Sequence, residues 1–216
     1  MRFKNRSDAG RQLAAQLQAY RWKPEVLVLA LPPGGVPVAA EIALALNAPL
    51  DVFLIRKLCV PGLENLEMAA ITTGGTRVLH DDVVNYLGIQ EDTIEAVTRR
   101  EQRELEYRER LYRGHRPAPE VRGKNVILID DGMSPGATMK ISLLALRRQS
   151  PVRLIAALPQ LAGTTHEAID RLADEIVSLK TPESFFPDGI WYEDFRQTTE
   201  AEASRMLSEY FASVNR

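Results

Sequence analysis

Three short runs of the chain are apolar at every position: residues 26–31 (Val-Leu-Val-Leu-Ala-Leu), 126–129 (Val-Ile-Leu-Ile) and 154–158 (Leu-Ile-Ala-Ala-Leu). Each has the length of a strand. A strand with no polar face must be covered on both sides, which is the environment of a parallel sheet between helices. None of the runs approaches the roughly 20 apolar residues that span a bilayer, so no membrane partner is expected.

The segments between these runs carry helical spacing and punctuation. Ser7 and Asp8 precede Leu13, Leu17 and Tyr20, a capped amphipathic helix that Pro24 closes. Pro37 suits the first turn of a helix running to Leu46, and residues 50–55 resume a strand. Residues 69–73 and 77–79 flank Gly74-Gly75 like a hairpin, and residues 90–111 read as a charged, solvated helix. Strands at 125–129, 152–158 and 176–179 then alternate with helices at 137–148 and 165–173, before an irregular aromatic tail and a closing helix at 199–214. This alternation predicts one α/β domain over 1–216. Its mainly parallel twisted sheet is flanked by helices through right-handed crossovers, with a hairpin and helix insertion at about 60–115.

Charge narrows the partners. The 216 residues include 27 Lys and Arg against 29 Asp and Glu, a formal net charge of −2. There is no basic field to drive non-specific nucleic-acid binding, so no nucleic-acid partner is expected, and an anion must be held locally. The single cysteine, Cys59, forms no internal disulfide and reads as a small buried hydrophobe, and the polar start is unlike a signal segment. A cytoplasmic location is expected. His80, His115 and His166 have no metal-ligand spacing with one another or with Cys59.

In an open α/β sheet, ligands collect at the carboxyl ends of the strands. After the strand at 125–129 come Asp130, Asp131, Gly132, Met133, Ser134, Pro135, Gly136, Ala137 and Thr138, a short turn opening into a helix. Backbone N–H groups at such a start form an anion nest, and the helix dipole favours phosphate. Two carboxylates beside the nest suit the hydroxyls of a sugar attached to that phosphate. The combination suggests a phosphorylated ribose, the alternative being an Asp pair that merely caps the turn. A second strand end, Leu31-Pro32-Pro33-Gly34-Gly35-Val36, offers small residues and free N–H groups, a weak signal alone.

Together the two segments resemble the type I phosphoribosyltransferases, and especially an uncharacterised group with an N-terminal stretch like residues 3–17. The likeness also takes in Ile55-Arg56-Lys57-Leu58 and Val60-Pro61-Gly62. It implies transfer of the 5-phosphoribosyl group of phosphoribosyl pyrophosphate to a nitrogenous acceptor, with Mg²⁺ carried on the pyrophosphate and no metal ligand assigned on the protein. By that likeness Asp130 and Asp131 are the catalytic carboxylates on the ribose hydroxyls, and the turn to Thr138 holds the 5-phosphate. Pro33, Gly34 and Gly35 form the pyrophosphate loop, with Arg56 and Lys57 as cations. The tail at about 181–198, with Phe185, Trp191 and Asp194, is the hood over the acceptor base. Relatives of this fold commonly pair, which makes a homodimer a candidate assembly.

The sequence departs from the family pattern at two prolines. Pro135 replaces a threonine and removes one N–H from the nest, a bond to a charged group being worth about 1.5–3 kcal/mol. Pro33 stands where relatives commonly carry a cation. The same loop often holds a cis peptide in the family, and a cis bond costs only about 0.5–1 kcal/mol before proline, so Pro32–Pro33 is expected to be cis. These departures keep a second reading open, a protein of the same fold that binds phosphoribosyl pyrophosphate or a nucleotide and signals without turnover. A third is a serine hydrolase, from Gly132-Met133-Ser134-Pro135-Gly136 with His166 downstream. It is disfavoured because Pro135 has no oxyanion-hole N–H and residues 139–165 contain no acid.

Overall fold

The computed structural model describes residues 2–132, 137–183 and 188–214. In chain order the elements are α1 (Arg6–Gln16), a 3₁₀ turn (Gln18–Tyr20), β1 (Val26–Ala30), α2 (Gly35–Leu46), β2 (Leu50–Val52), β3 (Ile55–Val60), β4 (Leu63–Thr72), β5 (Arg77–Leu79), α3 (Asp81–Leu87) and α4 (Glu91–Arg113). They continue with β6 (Asn125–Ile129), α5 (Ala137–Arg148), β7 (Arg153–Gln160), α6 (Gly163–Asp170), β8 (Glu175–Lys180), a 3₁₀ turn (Asp188–Trp191) and α7 (Glu200–Val214).

Two compact units result, Met1–Val52 with Pro119–Arg216, and Phe53–Ala118. The first holds a five-stranded sheet in the order β2-β1-β6-β7-β8, every neighbour parallel. The expected parallel sheet flanked by helices is what forms. β1 and β6 are buried along their whole length, and β7 at every position after Arg153. That is why their sequences carry no alternation. β8, at the edge, is half-buried throughout.

The order of strands matters more than their number. From β1 the chain passes through α2 to β2 on one side, whereas from β6 it passes through α5 to β7 on the other. The direction of winding therefore reverses between β1 and β6, and loops leaving their carboxyl ends diverge and leave a crevice there.

Several local expectations are corrected. The cap of α1 is Asn5, whose side-chain Oδ1 accepts from the Asp8 N–H at 2.9 Å, and not Ser7. The strand expected over 50–55 is two: β2 ends at Val52, and β3 belongs to the second unit. In that unit β4 pairs antiparallel with both β3 and β5, so the expected hairpin around Gly74-Gly75 is accompanied by another around Pro61-Gly62. Residues 63–67, Leu-Glu-Asn-Leu-Glu, are mostly exposed and gave no strand signal. Cys59 lies at a register shift in β3 and is only partly buried, so it is not the core residue expected.

Candidate functional site

The two segments singled out after β1 and β6 leave adjacent strands at the point where the winding reverses. Ala30 pairs with Ile129, and the Leu31 N–H donates to Ile129 O at 2.8 Å, carrying the ladder one residue further. The Pro32–Pro33 bond is cis. Gly35 N–H then donates back to Leu31 O at 2.9 Å, so the loop turns at once into α2.

Glycine is required here by approach, not by dihedral angle. A Cβ on Gly34 would overlap Asp131 Oδ2 and lie 2.6 Å from its Cγ, and one on Gly35 would lie 2.8 Å from Ile129 O. The loop is thus pressed onto the acidic turn. Together they bound a cavity of about 240 Å³ whose lining includes Arg6, Pro33, Gly34, Asp130, Asp131 and Thr138.

Asp131 is held from three directions. Its Oδ2 accepts from Arg6 Nε at 2.6 Å, its N–H donates to Asp130 Oδ1 at 2.9 Å, and its carbonyl accepts from the Tyr192 hydroxyl at 2.5 Å. The Arg6 and Asp131 side chains are 10% and 16% exposed, so water screens this pair weakly. The Arg6 guanidinium also donates through Nη1 to Arg196 O at 2.7 Å and lies 4.1 Å from the Phe195 ring centre. Among the described lining residues, one cation thus stands against two carboxylates.

The aromatic tail positions these groups. Phe3 N–H donates to Trp191 O and Glu193 N–H to Phe3 O, both at 2.8 Å, while Asp194 N–H donates to Lys4 O at 3.0 Å. Tyr192 packs between Phe3, at 5.4 Å, and Phe195, stacked at 4.8 Å. With 0% exposure Tyr192 has no face left for a base. Trp191 is half-buried with Lys180 Nζ 4.7 Å from its ring centre. Asp194 lines a neighbouring cavity of about 190 Å³, which shares Arg6, Gln197 and Thr198 with the first.

Arg56 and Lys57 lie on β3 in the second unit, and each meets a carboxylate there. Arg56 donates to Glu101 Oε2 from Nε at 3.1 Å and from Nη2 at 2.5 Å, and Lys57 Nζ pairs with Glu67. Partial burial works to raise the Glu101 pKa, but donation from Arg56 and Arg100 outweighs it and holds the carboxyl below its ordinary 4.5. Met133, Ser134, Pro135, Gly136, the side chain of Ala137 and Phe185 lie outside what is described. The serine of the hydrolase reading lies among them.

Among the described residues, no group of three or more His, Cys, Asp or Glu could hold a metal, and no helix is long and apolar enough to cross a membrane. A pair of carboxylates rather than a cage does fit Mg²⁺, which keeps waters and takes most of its oxygens from substrate phosphates. Sequence reasoning missed Arg6, the Tyr192 hydroxyl, Gln197 and Thr198. Arg6 lies 125 positions from Asp131, and no local spacing joins them.

The family model described as "Phosphoribosyl transferase domain" matches residues 2–190. A Mycobacterium tuberculosis protein named "Putative phosphoribosyl transferase Rv0571c" is 40% identical over 205 residues, covering 95% of this chain and 46% of that protein. The chain thus spans about half the length of the curated relatives it matches. The crystal structure of TT1426 from Thermus thermophilus is similar with a TM-score of 0.84 at 34% identity, over 97% of this chain and 99% of that one. AQ2163 from Aquifex aeolicus shares the fold at a TM-score of 0.51 and 15% identity, over 85% and 78% of the two chains.

Proposed function

The chain belongs to the phosphoribosyl transferase domain family, and from that premise we propose that it binds phosphoribosyl pyrophosphate with Mg²⁺ and transfers the 5-phosphoribosyl group to a nitrogenous acceptor. One observation carries the reading: the glycine loop after β1 and the acidic pair after β6 meet in one cavity at the sheet's winding reversal, with Gly34 pressed against Asp131.

Leaving of pyrophosphate builds positive charge on the ribose, and fixed carboxylates near that charge lower the barrier because they need no reorganisation as it develops. Asp130 and Asp131 supply them and accept from the ribose hydroxyls, which orients the ring. The loop at Pro33 and Gly34 lines the cavity at the start of α2 and is assigned to the pyrophosphate, since a helix N-terminus favours an anion. Mg²⁺, when bound, neutralises the departing pyrophosphate. The tail is assigned to the acceptor, a reading supported by Gln197 and Thr198, which line both cavities, and by Asp194, which lines the second.

Binding without turnover is the second reading, and one observation favours it. Arg56 and Lys57, the expected cations for the leaving group, are paired to Glu101 and Glu67 within their own unit. A pyrophosphate-release assay over a panel of purine, pyrimidine and simpler nitrogenous acceptors separates the two. Release with any one acceptor supports transfer. Binding of phosphoribosyl pyrophosphate with no release across the panel replaces transfer by the binding reading.

A further inference from the structure

We propose that Arg6 is a positioning residue for Asp131: it fixes the carboxylate so that the ribose diol meets it in one orientation. The inference rests on the phosphoribosyl reading above and extends it to a residue 125 positions away in sequence.

The geometry separates the two oxygens of Asp131. Oδ2 accepts from Arg6 Nε, whereas Oδ1 makes no hydrogen bond among the described residues; both oxygens lie close to Gly34, Oδ2 the closer, and the side chain lines the cavity. The carboxylate thus has one oxygen engaged by Arg6 and keeps the acceptor capacity of the other for a ligand hydroxyl. A carboxylate free to rotate would present either oxygen, and a ribose diol would lose binding free energy in ordering it.

Arg6 suits this task because it is itself fixed. Nη1 is on Arg196 O, the guanidinium carbon lies 4.1 Å from the Phe195 ring centre, and the side chain is nine-tenths buried. A planar fork joins the tail carbonyl to the Asp131 carboxylate in one rigid piece, which a lysine's single ammonium does not reproduce. The Asn5 cap starts α1 at Arg6 itself, so the backbone end of the fork is set by the helix. The Tyr192 hydroxyl, on the Asp131 carbonyl, holds the main chain of the same residue.

The test compares ribose 5-phosphate with n-propyl phosphate, which carries the phosphate monoester without the diol, by calorimetry on the whole protein. Wild type is expected to prefer the sugar phosphate at least tenfold. Arg6→Gln should shrink that preference to about twofold or less while changing n-propyl phosphate affinity little, and in an Asp131→Asn background the same substitution should add nothing. Arg6→Lys, which keeps the charge, and Tyr192→Phe, which keeps the ring, give intermediate losses and serve where Arg6→Gln does not fold. Equal weakening of both ligands makes Arg6 a direct phosphate contact or a purely structural residue and overturns the proposal. So does additivity of Arg6→Gln with Asp131→Asn. A wild type that binds neither ribose 5-phosphate nor phosphoribosyl pyrophosphate overturns the phosphoribosyl reading itself, and this inference with it.

Discussion

Gly34 and Asp131 are in such close approach that no side chain fits between them: a Cβ at position 34 would lie 2.6 Å from the Asp131 Cγ. The contact ties the loop after β1 to the turn after β6 across the point where the sheet's winding reverses. It makes the backbone of one strand end and the carboxylate of the other parts of a single wall.

Gly34→Ala should break that wall. Overpacking of this kind costs about 1–3 kcal/mol, and a chain of this size loses about 2–4 °C of melting temperature per kcal/mol. Affinity for phosphoribosyl pyrophosphate should fall at least tenfold. Gly163→Ala is the control, because its Cβ would meet nothing closer than Glu183 O at 3.7 Å. Its melting temperature and ligand affinity should match wild type.

Tyr192→Phe removes the hydroxyl that donates to Asp131 O at 2.5 Å and leaves the stack on Phe195 intact. One neutral hydrogen bond is worth about 1 kcal/mol. Chemical denaturation should show a loss of that size with an unchanged denaturant dependence. A larger loss, or a changed slope, would mean that the ring and not the hydroxyl holds the tail.

How far these groups could be read from sequence follows from which forces placed them. β6 is legible over Asn125–Ile129, its carboxyl end because the apolar run stops there at two carboxylates, and α5 is legible over Ala137–Arg148. Both signals are local. Arg6 and Tyr192 lie 125 and 61 positions from Asp131, and only the folded chain brings them to it. The first half of β4 is not legible for a different reason: Glu64 and Asn65 are exposed, so no burial pattern marks it. Asn5 does not stand out as the cap of α1, because Ser7 with Asp8 offers the same chemistry two residues later.

Acid should weaken the second unit through Glu101. Its carboxyl is held below the ordinary 4.5 by Arg56 and Arg100, despite burial acting the other way. A depressed folded pKa gives stability that is present above the unfolded value and lost as pH falls through the folded one. The melting temperature of wild type should therefore exceed that of Glu101→Gln above about pH 5, and the gap should narrow as pH falls below 4.5. A gap that stays constant down to about pH 2 would show that the ion pair contributes nothing.

At the alkaline end Tyr20 provides the marker. Burial, with the hydrogen bond its hydroxyl donates to Glu175 at 2.5 Å, pushes its pKa up to about 12. A raised folded pKa gives stability that is complete below the unfolded value of about 10 and lost as pH rises towards 12. Ultraviolet titration of the six tyrosines should show a step near pH 12 that Tyr20→Phe removes. Titration of that step near pH 10 would contradict the buried Tyr20–Glu175 contact.

The most direct test is calorimetric titration of the whole protein with phosphoribosyl pyrophosphate in the presence and absence of Mg²⁺. The cavity between the β1 and β6 ends predicts one site per chain, tighter with Mg²⁺, and weakened at least tenfold by Asp130→Asn and by Asp131→Asn in variants that keep the wild-type melting temperature. No heat of binding under either condition, or binding that both substitutions leave unchanged, would contradict it.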